Sequence, residues 1–426
     1  MADVRPFPAL RFSPETNLAD NVCPPFDTIS PEQQRALYAR SPHNAVRIEL
    51  AEPTNGDRYA SAAATLAQWR DEQVLGRDDR PTYTLYRQTF TRDGRTYGRT
   101  ILFARLRLEQ WDTGIVLPHE QTFGGPKEDR LKLLRATHLN ASPVYLLYRD
   151  KTREIQSTLD DLVMQEPQAA FATEDGQRHA IWVVSDPDLI AHLQEAFADE
   201  TLYVADGHHR YETALGYQDE VRSRAATWTG EEPENFALAA LTSAQDPGLV
   251  VLPIHRVTKA ETPLNEALER TAIAFDFERV GRDAEALALT ARDSEHSVLG
   301  LAASESPDVY LLSLRDPSVA DSWMPQDRSP EWRRLDYSIA NYAILQHVLG
   351  LQESQMKDYS MVWFTEDAHD AIEQVRNGEA CYAVLLKPMP VGRVLDIADA
   401  GERMPQKSTF FYPKVPTGIV FNLVQD

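Results

Sequence analysis

One segment limits the fold of this chain more than any other. Leu202-Tyr203-Val204-Ala205 reads as a short apolar strand. It runs directly into Asp206-Gly207-His208-His209-Arg210, and a helical pattern continues from Tyr211 to about Arg224. A strand that turns into a helix through a glycine belongs to α/β architecture. Gly207 lets the backbone turn tightly and come close to a ligand. The unpaired N–H groups of the new helix face that ligand, and the helix dipole favours an anion. Arg210 offers two parallel hydrogen bonds to a phosphate, and His208 and His209 add donors or positive charge. Asp206 can hold Mg²⁺ or accept a proton. The plainer alternative is an aspartate helix cap followed by solvated histidines.

The rest of the chain alternates helical and extended patterns, which predicts a mixed α/β fold. Ser30-Pro31-Glu32-Gln33 is a helix-start signature, and a short helix is expected to about Arg40. Val46 to Leu50 alternates like a strand, and Asp57 opens a helix to about Leu75. Tyr83–Phe90 and Tyr97–Leu108 predict a hairpin closed by Arg92-Asp93-Gly94-Arg95. Helices are expected over about 127–138, 152–164, 187–197, 334–349 and 368–375. Strands are expected over 144–148, 181–184, 382–386 and 419–423. Asp316 to Pro330 reads as a linker or surface loop.

At 426 residues the chain is long enough for about three domains. Three regions are expected: 1–150, 151–260 and 261–426. Forty-three basic against 65 acidic residues give a net charge of −22, which disfavours sequence-independent nucleic-acid binding. No apolar run approaches the roughly 20 residues of a membrane span, and the N-terminus does not resemble a secretory signal. Cys23 and Cys381 fit no metal-ligand spacing and no disulfide framework, so a cytoplasmic setting is expected. A homodimer is left open.

Two further clusters carry chemistry. Pro118-His119-Glu120-Gln121-Thr122 precedes a basic helix with Lys127 and Arg130 on one face. His119 and Glu120 suit a base with its orienting partner, or two metal ligands, but HExxH is absent. The tail Met404 to Lys414 places Lys407, Ser408, Thr409 and Lys414, including two of only eight lysines, around an aromatic run flanked by prolines. These side chains offer charge and hydroxyls to a phosphate or carboxylate. The plainer alternative is an aromatic plug over the core. A Walker A loop and a GxSxG elbow are both absent. Cys23-Pro24-Pro25-Phe26-Asp27, Asn140, Ser142 and Pro253-Ile254-His255-Arg256 are weaker signals, each more simply structural.

Taken together, Pro-Pro-Phe-Asp, Pro-His-Glu-Gln-Thr, Ala-Asp-Gly-His-His-Arg and Lys-Ser-Thr-Phe-Phe-Tyr-Pro-Lys resemble the DUF1015 family over essentially the whole chain. The strand–Asp-Gly-His-x-Arg–helix element is also similar to the phosphate-binding element of the ParB/sulfiredoxin-like superfamily, which includes free serine kinases. That likeness implies a ParB/sulfiredoxin-like core within 151–260, elaborated by α/β regions on either side, with the tail left open to return to the active site. It gives Gly207, His208 and Arg210 the donor phosphates and Asp206 the metal or proton.

The leading expectation is therefore a Mg²⁺-dependent phosphotransferase acting on free L-serine, with pyrophosphate, ADP or ATP as donor. Asp206 or Glu120 would take the hydroxyl proton. His209, with His119 near the base, would complete the catalytic set. Lys127, Arg130, Lys407, Ser408, Thr409 and Lys414 would help to bind phosphate. The alternatives are a metal-dependent phosphatase or phosphodiesterase, with His119, Glu120, Asp206, His208 and His209 as ligands, and a non-catalytic nucleotide binder.

Overall fold

A computed structural model describes residues 1–54, 56–120, 124–281 and 297–425. The fold is mixed α/β. The chain divides into two compact units: Met1–Pro118 with Thr122–Val250 and Pro413–Asp426, and His119–Gln121 with Val251–Tyr412.

The first unit is built on a nine-stranded mixed sheet. Eight strands take the order Val116–Pro118, Leu202–Asp206, Val144–Tyr148, Phe236–Ser243, Arg95–Arg107, Tyr83–Arg92, Arg178–Val184 and Ala169–Ala172. Val4–Arg5 pairs with Arg95–Arg107 off this path. The central hairpin forms as the sequence predicts, with Asp93 and Gly94 both at positive φ in its turn. Phe236–Ser243 is buried at every position. It reads as a continuous apolar run because neither of its faces meets water, so period-two alternation gives no signal. Leu102, Leu146, Val204 and Leu241 pack with Leu159, Phe197, Tyr211 and Leu215 from three helices, Glu154–Val163, Pro187–Ala198 and His208–Arg224. Each fully buried Leu or Phe contributes roughly 1.5–3 kcal/mol.

Several elements differ from expectation. Val46–Glu49 is one helical turn, closed by Leu50 N donating to Val46 O at 2.8 Å. Val46, Ile48 and Glu49 are all buried there. Five residues are too few to separate the two periods, and packing decides. The helix expected from Tyr211 begins at His208. Within 316–330 the chain forms the helix Pro317–Ser322, capped by Asp316. The expected helix 334–349 is broken into Pro330–Arg333, Asp336–Ser338 and a π-helical stretch Ile339–Val348, where Leu349 N reaches Ile344 O. Of 419–423, only Asn422–Leu423 is a strand, paired with Leu139–Asn140.

The second unit holds a six-stranded antiparallel sheet, ordered Phe275–Val280, Val309–Leu314, Val298–Ala303, Tyr382–Leu385, His255–Thr258 and Val362–Thr365. Alternation assigns its faces. Leu299, Leu301, Tyr310 and Leu312 join a core with the π-helical stretch and the helix Leu264–Thr271. Val298, Ala302, Val309 and Leu311 face the helix Ala368–Arg376 through Ala371, Ile372 and Val375.

His255 belongs to this framework. Its Nδ1 accepts from Leu386 N at 3.0 Å, and the residue is 3% exposed. Burial, aided by the charge of Arg256, pulls its pKa down from 6.5 to about 4. A depressed histidine contributes stability that is complete above the unfolded value and is lost as pH falls through 6.5 towards 4. We expect the urea midpoint to fall between pH 7 and pH 5, with His255 alone contributing about 2 kcal/mol to the loss. Equal midpoints at the two pH values would refute this.

Candidate active site

The strand Leu202–Asp206 runs parallel to Val116–Pro118 and antiparallel to Val144–Tyr148. Its pairing with Val144–Tyr148 shifts register between Val204 and Asp206. Such an irregularity re-aims the next side chain, and here that side chain is Asp206. Gly207 comes next, with φ +89°, as the N-cap of His208–Arg224. The positive φ is what requires glycine there, and the Arg210 guanidinium packs close over it, 2.9 Å from where a Cβ would lie. Asp206 does not cap the helix.

Instead Asp206 holds two cations. Its Oδ2 accepts from Arg210 Nη2 at 2.5 Å, one helical turn on, and its Oδ1 accepts from Lys414 Nζ. Arg210 also donates to the carbonyl of Pro143. Burial by itself would raise the Asp206 carboxyl. The Lys414 ammonium and Arg210 guanidinium, with His208 adding, overcome burial and hold it well below the usual carboxylate range. His208 and His209 are the first two residues of the helix, half-buried, where a dipole of 17 aligned residues favours negative charge.

Lys414 arrives from the far end of the chain. Arg99 is fully buried, lies over the Tyr145 ring at 5.1 Å and donates to Pro413 O at 2.6 Å. Ile419, Val420 and Phe421 are buried, and Phe421 exchanges backbone hydrogen bonds with Leu10. The tail is therefore anchored on both sides of Lys414. Arg99 gave no signal in the sequence, because a lone arginine in a strand usually points to water.

The helix Gly124–Thr137 packs on His208–Arg224, with Lys127 paired to Glu212 and Arg135 to Glu220 further along both. Arg130 is turned inward. It bonds Asp129 at 2.5 Å and Glu49 O at 3.0 Å, and lies 4.0 Å over the Phe26 ring. Ser142 bonds the buried Glu49 carboxylate and accepts from Thr417 Oγ1 at 3.1 Å. Asn140 Oδ1 accepts from Leu238 N and Asn422 Nδ2. Phe26, Asn140 and Ser142 thus serve internal bonding and packing.

In the second unit, His119 and Glu120 meet the tail loop. His119 is 1% exposed, and its Nε2 lies 2.9 Å from Thr409 Oγ1. Glu120 accepts from Lys407 N at 3.0 Å and Ser408 N at 3.3 Å, holding a turn in which Lys407 has φ +55°. Ser408 donates to Pro405 O at 2.5 Å. Arg256 supports the same turn from beneath, donating to Ile254 O at 2.5 Å and Lys407 O at 3.0 Å. The residues singled out in the sequence fall in both units. Asp206–Arg210, Lys127, Arg130 and Lys414 lie in the first, and His119, Glu120 and Lys407–Thr409 in the second. Gln121 and Thr122 lie outside the described residues.

Asp206 as arranged does not fit a resident Mg²⁺. Both of its oxygens already face a cation, and a divalent ion would have to displace one of them. Among the described residues, no three His, Cys, Asp or Glu side chains gather as a ligand set. Nor is any helix among them long and apolar enough to cross a membrane.

The fold and site define a mixed α/β protein with a strand–Asp-Gly-His-His-Arg–helix element whose aspartate pairs with Arg210 and Lys414. The chain belongs to the family described as protein of unknown function DUF1015, whose model matches residues 4–338. Among curated proteins nothing matches the sequence. Among solved structures, it is similar to a conserved hypothetical protein from Pyrococcus furiosus, at 14% identity and TM-score 0.36, over 76% of this chain and 95% of that one. It is also similar to a free serine kinase in complex with AMP, at 14% identity and TM-score 0.35, over 75% and 92%. SbnI with a C-terminal truncation, from Staphylococcus aureus, matches at 9% identity and TM-score 0.36, over 75% and 87%.

Proposed function

We propose that this protein is a phosphotransferase, a free L-serine kinase that forms O-phosphoserine with pyrophosphate, ADP or ATP as donor. One observation carries the reading: Lys414 and Arg210 are gathered on Asp206 at the N-terminus of the helix His208–Arg224. Phosphoryl transfer asks mainly for positioning and for neutralisation of charge on the moving group. Here a lysine and an arginine are held in place by a carboxylate beside helix N–H groups that favour an anion. The identities of donor and acceptor come from the resemblance of the Asp-Gly-His-x-Arg motif.

In this reading an arriving phosphate competes with Asp206 for Lys414 and Arg210. Asp206 keeps the two cations apart and aimed while the site awaits its substrate. A carboxylate held this far down is a weak proton acceptor, so its main contribution is to position the cations. His208 and His209 hydrogen-bond the donor oxygens. Mg²⁺ is proposed only as the counter-ion of the donor phosphates, outside the protein's own donors.

The test offers the protein L-serine with ATP, ADP and pyrophosphate in turn, in the presence of Mg²⁺, and reads O-phosphoserine by mass spectrometry. Product that requires both serine and donor supports the reading. No product with any donor, from folded protein, overturns it.

A further inference from the structure

We infer that the first unit carries a second ligand site, for a small zwitterion of the amino-acid class, in the cavity lined by Arg87, Thr100, Arg153, Gln156, Asp160 and Asp246. This site stands independently of the phosphotransferase reading. The cavity measures about 130 Å³. One water needs roughly 10–15 Å³, so there is room for a molecule of several heavy atoms.

Its floor is built and its mouth is charged. Asp246 is 5% exposed and holds its place by accepting from Thr100 N at 3.0 Å and Gly248 N at 2.7 Å. The loop that carries it is seated against the sheet. A Cβ at Gly248 would lie 2.5 Å from the carbonyl carbon and oxygen of Gly98, so only glycine allows the approach. Gln156 is 8% exposed and donates through Nε2 to Asp160 at 2.8 Å. That bond fixes the Asp160 carboxylate on the cavity lining.

The lining carries both signs of charge. Arg87 makes a long 3.4 Å contact to Thr100 Oγ1, and neither Arg87 nor Arg153 forms an ion pair with a described residue. Two guanidiniums on the lining suit a carboxylate. The Asp160 and Asp246 carboxylates suit an ammonium group. An anion alone would be repelled by the two carboxylates, and a cation alone by the two guanidiniums.

The probe is L-alanine, which has no hydroxyl to phosphorylate, titrated calorimetrically into the full chain without a phosphate donor. We expect saturable uptake at one site. It should weaken at least about tenfold in Arg153→Gln, at the exposed mouth, and in Gln156→Leu, with circular dichroism confirming the fold of each. L-Alanine methyl ester and propionate, each lacking one charge, should also bind at least about tenfold more weakly. Lys414→Met should leave uptake unchanged. Absence of saturable uptake by folded protein overturns the inference, as does uptake that survives both cavity substitutions. Loss in Lys414→Met alone also overturns it and moves the amino acid to the Asp206 site. A protein that makes no O-phosphoserine yet takes up L-alanine through Arg153 and Gln156 would sink the kinase reading and uphold this one.

Discussion

Lys414→Met is expected to lower O-phosphoserine formation by about a hundredfold or more while leaving a folded protein. Removing one preorganised donor to a developing charge typically costs that much. The lysine is the one cation of the Asp206 cluster supplied by the distant tail, bonded to Asp206 across 208 positions of sequence. Methionine keeps the length of the stem and removes the ammonium. If Lys414 acts on the moving phosphoryl group, kcat and kcat/KM should fall together. A rise in KM at unchanged kcat would confine it to ground-state binding, and unchanged kinetics would remove it from the site. The substitution also takes away the cation that most lowers the Asp206 carboxyl and leaves it with Arg210, so burial regains influence and the carboxyl moves up. Its depressed value now contributes stability that is complete above the ordinary carboxylate value and is lost as pH falls from there towards the depressed value. In the variant part of that contribution disappears, and the acid transition should begin at higher pH.

The second large effect is expected at Arg256. It is wholly buried beneath the tail loop, between the rings of Tyr337 and Phe364, and donates to Ile254 O, Lys407 O and Asn341 Oδ1. Burial pulls it down to about 10 against the favourable charges of Tyr337 and Glu120, so it stays cationic at neutral pH. Arg256→Leu fills part of the space and leaves these acceptors unmatched. At roughly 1–3 kcal/mol each, the loss should reach about 3 kcal/mol or more. Urea unfolding monitored by circular dichroism measures it. A loss below about 1 kcal/mol would mean that water or neighbouring donors replace the guanidinium without difficulty.

The tail loop shows where sequence reading succeeds and where it stops. Scarce lysines, prolines and hydroxyls single out Lys407 to Lys414, and these residues do meet others distant in sequence. Yet the run divides after Tyr412. Lys407–Thr409 settle with His119 and Glu120, while Lys414 goes to Asp206. Nothing in eight consecutive residues says that a boundary between compact units passes through them. Glu120 is legible as a carboxylate beside a histidine, but its acceptance of two backbone N–H groups is not, because a turn with positive φ at a lysine has no composition signature.

Features that local pattern dictates are legible in the chain. The central hairpin, the strand at 202, the helix behind Gly207 and the mixed α/β class all arise from period, turn chemistry and a glycine between strand and helix. Other features depend on burial and on partners far along the chain. Val46–Glu49 became a helical turn, and Phe236–Ser243 became a fully buried strand. Arg99 and Arg256 became buried anchors, and Asp206 became the clasp of two cations rather than a helix cap. The physical reason is the same in each case. Periodicity reports which face of an element meets water, whereas the partner of a buried charge is set by which distant backbone and side-chain groups reach it first.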